Sequence, residues 1–194
     1  MDYKQEEFLS KQRALELWDS GDIDKIETGT FKGLAEIHRY IFQDVYSFAG
    51  ELRSVNIAKG NFRFAPVLYL EASIKEIEKM PQNTFEECVD KYVEMNVAHP
   101  FREGNGRSGR IWLDKMLKAA VGKCIDWSQI DKESYLSAME RSPVNSLEIK
   151  HLLSSALITD ISSREIYMKG IDNSYRYEDA NNVSIFDVDK FHIR

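Results

Sequence analysis

His99-Pro100-Phe101-Arg102-Glu103-Gly104-Asn105-Gly106-Arg107-Ser108-Gly109-Arg110 lies between two helical stretches and gathers in twelve residues the turn-forming and charged groups of a phosphate site. Pro100 ends the helix before it, since proline disfavours helical backbone at the preceding residue. Gly104-Asn105-Gly106 permits positive φ and turns successive N–H groups inward at the positive end of the next helix, forming an anion-binding nest. Arg107 and Arg110, three apart at that helix start, share a face on which their guanidinium forks can clamp further phosphate oxygens, which suits a polyphosphate. Glu103 precedes the nest and reaches a divalent cation bridging two phosphates, the usual Mg²⁺ arrangement. His99, with an ordinary pKa near 6.5, suits a general base at neutral pH. The segment therefore specifies phosphoryl or nucleotidyl transfer, with Phe101 as the anchor pinning the loop to the core.

Working outward, the apolar spacing is mostly helical. Thr30 N-caps a helix burying Leu34, Ile37, His38, Ile41, Phe42 and Val45, broken by Ser47-Phe48-Ala49-Gly50. Pro66 suits the first turn of a helix carrying Leu70, Ile74 and Ile77 that stops before Pro81. Thr84 with Glu87 forms a capping-box pattern opening a helix that buries Phe85, Cys88, Val89, Tyr92 and Met95. Further helices are predicted at 107–121, 131–141, 145–158 and 163–172, the third with Asn145 and Glu148 as cap and N3 partner. Only Val55–Phe64 alternates large and polar residues, around Gly60-Asn61, and reads as a short hairpin whose edge can accept an extended segment from another chain.

The chain has 194 residues, 43% hydrophobic and 30% charged, which fits one globular domain and excludes disordered, collagen-like and disulfide-scaffold classes. With 26 basic against 32 acidic side chains the net charge is -6, so no broad basic surface for nucleic acid or anionic membrane is expected. No apolar run approaches a membrane span and the start, MDYKQEEFLSKQ, has no signal-peptide stretch, so the expected location is the cytoplasm. Cys88 and Cys124 read as reduced core thiols. A P-loop enzyme is excluded for want of GxxxxGK[ST], and His38, His99, His151 and His192 are too dispersed for a zinc enzyme.

The segment His99–Arg110 is similar throughout to the signature of the Fic family, His-x-Phe-x-(Asp/Glu)-Gly-Asn-Gly-Arg-x-x-Arg, with every specified position present. The resemblance implies the Fic fold, a mainly α helical bundle with a short β-hairpin flap. It places the catalytic domain at 1–160, its core at about 30–160 and the flap at about 55–65. It further implies transfer of AMP from ATP to a Ser, Thr or Tyr hydroxyl of a target protein, with release of pyrophosphate. By position, His99 would take the hydroxyl proton and Glu103 would hold Mg²⁺ or Mn²⁺. Asn105 and the backbone of Gly104 and Gly106 would cradle the α- and β-phosphates, and Arg107 and Arg110 would hold the β- and γ-phosphates.

Lys59, Gly60, Asn61, Phe62, Arg63 and Phe64 correspond to the flap edge that orients the target by main-chain pairing. Ser174-Tyr175-Arg176-Tyr177-Glu178-Asp179 looks like the inhibitory Ser/Thr-x-x-x-Glu-Gly/Asn motif, departing only at Asp179, and places an inhibitory segment at 161–180 with a tail at 181–194. In that reading Glu178 pairs with Arg110 and competes with the γ-phosphate, and a released helix offers Tyr175 or Tyr177 for self-modification. The tail, with Val183, Ile185, Phe186, Val188 and Phe191, docks on a neighbour or packs on the core. Alternatives are another Fic phosphotransfer, removal of AMP, or a nucleotide-sensing partner-binding module without turnover. The target protein is not named by any residue, and homo-oligomerisation is left open.

Overall fold

A computed structural model of the chain describes residues 3–60 and 62–178, together with the backbone of Val183–Phe186. Its elements run α1 (Tyr3–Asp19), α2 (Asp22–Lys25), α3 (Phe31–Phe42), β1 (Asn56–Lys59), β2 (Phe62–Arg63), α4 (Val67–Lys79), α5 (Phe85–Ala98) and α6 (Asn105–Val121). Then follow β3 (Cys124–Ile125), a 3₁₀ turn (Trp127–Gln129), α7 (Lys132–Arg141), α8 (Leu147–Ser155), β4 (Leu157–Ile158), α9 (Arg164–Tyr177) and β5 (Val183–Phe186). The class is mainly α, as the spacing predicts.

The helices begin where side chains satisfy the N–H groups that a first turn leaves unpaired. Thr30 accepts from Gly33 to start α3, and Thr84 with Glu87 closes the capping box of α5. α6 forms the centre. Its Ile111, Trp112, Leu113, Met116 and Leu117 are buried against α3 and α5, which contribute Leu34, Ile37, Ile41, Cys88, Val89 and Tyr92. Both thiols are free and buried. Among the described residues no helix is long and apolar enough to cross a membrane.

One predicted helix is corrected at both ends. The 145–158 helix is shorter: Ser146 stands at the N-cap of α8, Asn145 Oδ1 accepts from Leu147 N at 2.9 Å in the capping role, and Glu148 forms a two-pronged ion pair with Arg141. The chain leaves α8 at Ser155 so that β4 can pair with β3. The hairpin forms as expected, β1 antiparallel to β2 with Lys59 opposite Phe62, and a third strand joins it: the sheet order is β2-β1-β5, with Asn56 opposite Phe186 and Lys59 opposite Val183. A two-stranded ribbon has little stability of its own, and β5 supplies a third strand. The tail therefore packs back on its own chain over 183–186, and β2 is the outer strand on the other side. Asn61, Asp179 and residues 187–194, including Val188 and Phe191, lie outside the described residues.

Candidate active site

The loop from His99 to Gly104 joins the C-terminus of α5 to the N-terminus of α6. His99 caps α5 in the left-handed region, with φ 50° and ψ 65°, while its N–H donates to the Met95 carbonyl at 2.9 Å. This conformation is uncommon for a residue with a Cβ and lifts the imidazole off the helix axis. Asn96 O lies 3.1 Å from Nδ1, so Nδ1 carries the hydrogen and donates, leaving the Nε2 lone pair available. Phe64 stacks on the ring with centroids 3.6 Å apart. Burial pushes His99 down to about 3, so the ring is neutral at physiological pH.

Gly104 caps α6 with φ 79°, and a Cβ there would fall 2.5 Å from the Phe42 ring, so only glycine fits. Asn105 closes the loop: Phe101 N donates to its Oδ1 at 2.8 Å and its Nδ2 donates to Phe101 O at 2.7 Å. Its side chain is therefore engaged by the loop, and the cradle is formed by backbone N–H groups at the start of α6. His38 supports that loop from below. It accepts from Gly50 N at Nδ1 (2.9 Å), so Nε2 donates to Glu103 O (2.8 Å), and its ring stacks on Phe101. Burial holds His38 near 4, which keeps this tautomer neutral. The sequence shows His38 only as an apolar-face residue; nothing in its spacing signals contact with Glu103.

Above the nest opens a cavity of about 350 Å³, within the range of ligand pockets. His99, Glu103, Asn105, Gly106 and Arg110 form its floor, and Lys59, Gly60, Phe62 and Phe64 of the hairpin form one wall. Tyr135, Leu136, Met139 and Glu140 of α7, with Tyr177, form the other. That wall of rings and alkyl groups is invisible from sequence, because α7 carries no motif. Burial holds the Glu103 carboxyl above its usual range, and Glu178 adds to this while Arg107 opposes it.

Arg110 is 3% exposed and is gripped from α9: Nε donates to Ser174 Oγ at 2.7 Å, and Nη2 to Ser174 O at 3.1 Å and Glu178 Oε1 at 3.2 Å. Ser174 and Glu178 thus meet the same arginine. Glu178 Oε1 also lies 2.8 Å from where a Gly106 Cβ would stand, so the carboxylate fills the space directly above the nest. Burial alone would raise the Glu178 pKa, but Arg110 and Arg107 outweigh it and hold the carboxyl below its usual range.

Arg107 is placed differently from Arg110. It lies outside the cavity lining, sandwiched between the Phe42 and Tyr175 rings, with Nη1 on Glu6 of α1 at 2.7 Å and Nη2 3.4 Å from Glu103. Sharing a helix face brings Arg107 and Arg110 close in angle, yet their side chains diverge because α1 and α9 offer them different carboxylates. Tyr175 and Tyr177 are likewise turned inward, 5% and 2% exposed. The Tyr175 hydroxyl pairs with Ser10, and that of Tyr177 donates to Trp127 O and Ile130 O, so neither is presented while α9 is packed.

A family model described as Fic/DOC family matches residues 29–117. A probable protein adenylyltransferase, y4lH of Sinorhizobium fredii, is 32% identical over 149 residues, covering 71% of this chain and 74% of that protein. The chain belongs to the Fic/DOC family. The probable protein adenylyltransferase Fic of Escherichia coli is 29% identical over 143 residues, covering 68% of this chain and 71% of its own length. These names make it a family of nucleotidyltransferases. In fold, the chain resembles the N-terminal Fic domain of a Bartonella effector protein from Bartonella sp. AR 15-3, with TM-score 0.68, 22% identity and coverage of 81% and 84%. It also resembles BepC of Bartonella tribocorum, solved with AMPPNP, with TM-score 0.66, 21% identity and coverage of 80% and 86%.

Proposed function

We propose that this Fic protein transfers AMP from ATP to a hydroxyl of a target protein, and that α9 restrains the reaction. The observation carrying this reading is the neutral His99, with its Nε2 lone pair available, in one cavity with Glu103, Arg110 and the N-terminus of α6. The triphosphate lies over the nest, its negative charge met by N–H groups and the Arg110 guanidinium. His99 Nε2 takes the proton as the target oxygen attacks the α-phosphorus, and the bond to pyrophosphate breaks. Bound Mg²⁺ or Mn²⁺ would neutralise phosphate charge beside Glu103. The donor set fits: one carboxylate on the cavity floor, its pKa raised by burial, can join phosphate oxygens and water around a divalent cation. Among the described residues no group of three or more His, Cys, Asp or Glu forms a protein-only metal cage.

The intact-mass test is direct: a protein substrate treated with ATP and Mg²⁺ gains the mass of one AMP, and a gain of phosphate alone would overturn the reading. Glu103→Gln should weaken transfer and raise the metal concentration for half-activity, with partial recovery at high Mn²⁺. An unchanged metal titration would remove that role.

The target segment is taken by the outer edge of β2, beside His99, because β5 already covers β1. Phe62→Pro disrupts the pairing of β2 with β1 that holds the docking edge in place and is expected to lower transfer to a protein target with ATP affinity nearly unchanged. Collapse of ATP affinity in titration calorimetry would make the hairpin part of the nucleotide site instead.

A further inference from the structure

Arg53 lies outside every motif in the sequence, on the extended segment between Gly50 and β1, yet it is 2% exposed. A buried cation needs compensation, ordinarily from a carboxylate. Arg53 is compensated by main-chain carbonyls. Nε donates to His99 O at 2.7 Å, Nη1 to Val55 O at 2.7 Å, and Nη2 to Ala65 O and, at 3.0 Å, to Ala98 O. Its backbone N–H donates to Pro100 O at 2.9 Å. Burial pulls its pKa below the ordinary value, with no acidic neighbour among the causes.

These acceptors are not scattered. Ala98, His99 and Pro100 are the exit of α5, where exposed carbonyls form the negative end of the helix and a cation is favoured. Val55 and Ala65 are the two feet of the hairpin, flanking β1 and β2. One rigid, planar fork therefore ties the left-handed backbone of His99 to both ends of the strand pair that carries Phe64, and Phe64 stacks on the His99 ring. The ring is fixed on one side by its Asn96 bond and on its face by Phe64; Phe64 is the neighbour of Ala65 and Asn96 lies two residues before Ala98, and Arg53 holds the carbonyls of both Ala65 and Ala98.

We propose that Arg53 is a positioning residue for the transfer reaction, fixing the His99 imidazole and the target-docking edge of the flap in one geometry. The proposal rests on the adenylyl-transfer reading for its kinetic consequence but not for its structural one. Lysine in its place keeps the charge but loses the fork, since an ammonium cannot reach carbonyls on both the helix exit and the two hairpin feet. A displacement of about 1 Å at the base is expected to cost on the order of 10²-fold in rate.

The experiment compares Arg53→Lys with the parent, both carrying Glu178→Gly so that transfer is measured in the released state. The expected result is a fall in kcat on the order of 10²-fold with KM for ATP unchanged. The His99 ring nitrogens, observed by NMR, should lose the pattern of a single Nδ1-protonated tautomer, and amide hydrogen exchange at Phe64 and Ala65 should quicken. A merely structural arginine would lower the melting temperature and leave kcat per folded molecule and the ring signature as in the parent; that result overturns the proposal. Arg53→Ala titrated with methylguanidinium is the second arm: saturable recovery of kcat supports the fork, and no recovery in folded protein counts against it. Absence of any AMP transfer in the parent would sink the adenylyl-transfer reading alone, because the ring signature and hydrogen exchange still report on Arg53.

Discussion

His99→Ala is expected to lower AMP transfer by ~10²–10⁴-fold, the usual worth of a positioned general base, while nucleotide affinity stays within a small factor of the parent. The separation follows from where the ring's contacts lie. Its Nδ1 hydrogen goes to Asn96 O and its face to Phe64, so neither of these contacts is with the N–H groups at the start of α6 proposed to receive phosphates. One complication is conformational. His99 has φ 50°, where alanine carries a penalty of about 1 kcal/mol that asparagine largely avoids. His99→Asn therefore serves beside His99→Ala: it tolerates the left-handed backbone yet cannot accept the proton. If both variants lose transfer equally in single-turnover labelling with α-labelled ATP, the base is responsible. If His99→Asn transfers at the parent rate, the ring is a backbone cap and the proton leaves by another route.

The parts of the fold legible in the sequence are those decided locally. Thr30, and Thr84 with Glu87, cap their helices within one turn, and the run Leu34, Ile37, Ile41 shows its buried face in its own spacing. What the sequence hides depends on distant partners. α1 carries a weak apolar stripe, and its Glu6, Ser10 and Lys11 gain meaning only against Arg107, Tyr175 and Asp172. Asn145 and Glu148 have capping spacing, but Arg141, seven residues upstream at the end of α7, claims the carboxylate. The same holds at the site. Gly104 and Gly106 are readable because a close approach demands glycine, whereas the divergence of Arg107 from Arg110 is set by α1 and α9. His38 and Arg53 act through main-chain atoms of other segments, and no side-chain motif records such contacts.

Glu178→Gly should activate the protein, with a gain on the order of 10²-fold in initial rate. In the resting state the carboxylate does two things a substrate phosphate would do: it accepts from Arg110 and fills the space above Gly106 at the positive end of α6. ATP must then either displace a buried ion pair or bind with its γ-phosphate away from Arg110, which carries the α-phosphorus out of line with His99. The held-down pKa of Glu178 fixes the sign of any pH effect. A carboxyl whose folded pKa lies below its usual value keeps its charge at and above ordinary carboxylate pH, so the restraint persists at neutral pH and weakens only on acidification through that lowered value. Raising the pH should therefore leave the restraint in place. Glycine removes the carboxylate while Ser174 still holds Arg110 Nε at 2.7 Å, so the guanidinium stays in position to meet a phosphate. The nearby tyrosines give a second readout. Tyr175 and Tyr177 stay packed against Ser10 and the Trp127–Ile130 carbonyls without help from Glu178, so activation is expected without prompt self-labelling at either. Early AMP on Tyr175 or Tyr177 would mean that α9 detaches as a whole, whereas an unaltered rate in folded Glu178→Gly would show that the nest tolerates the carboxylate and that α9 does not restrain the enzyme.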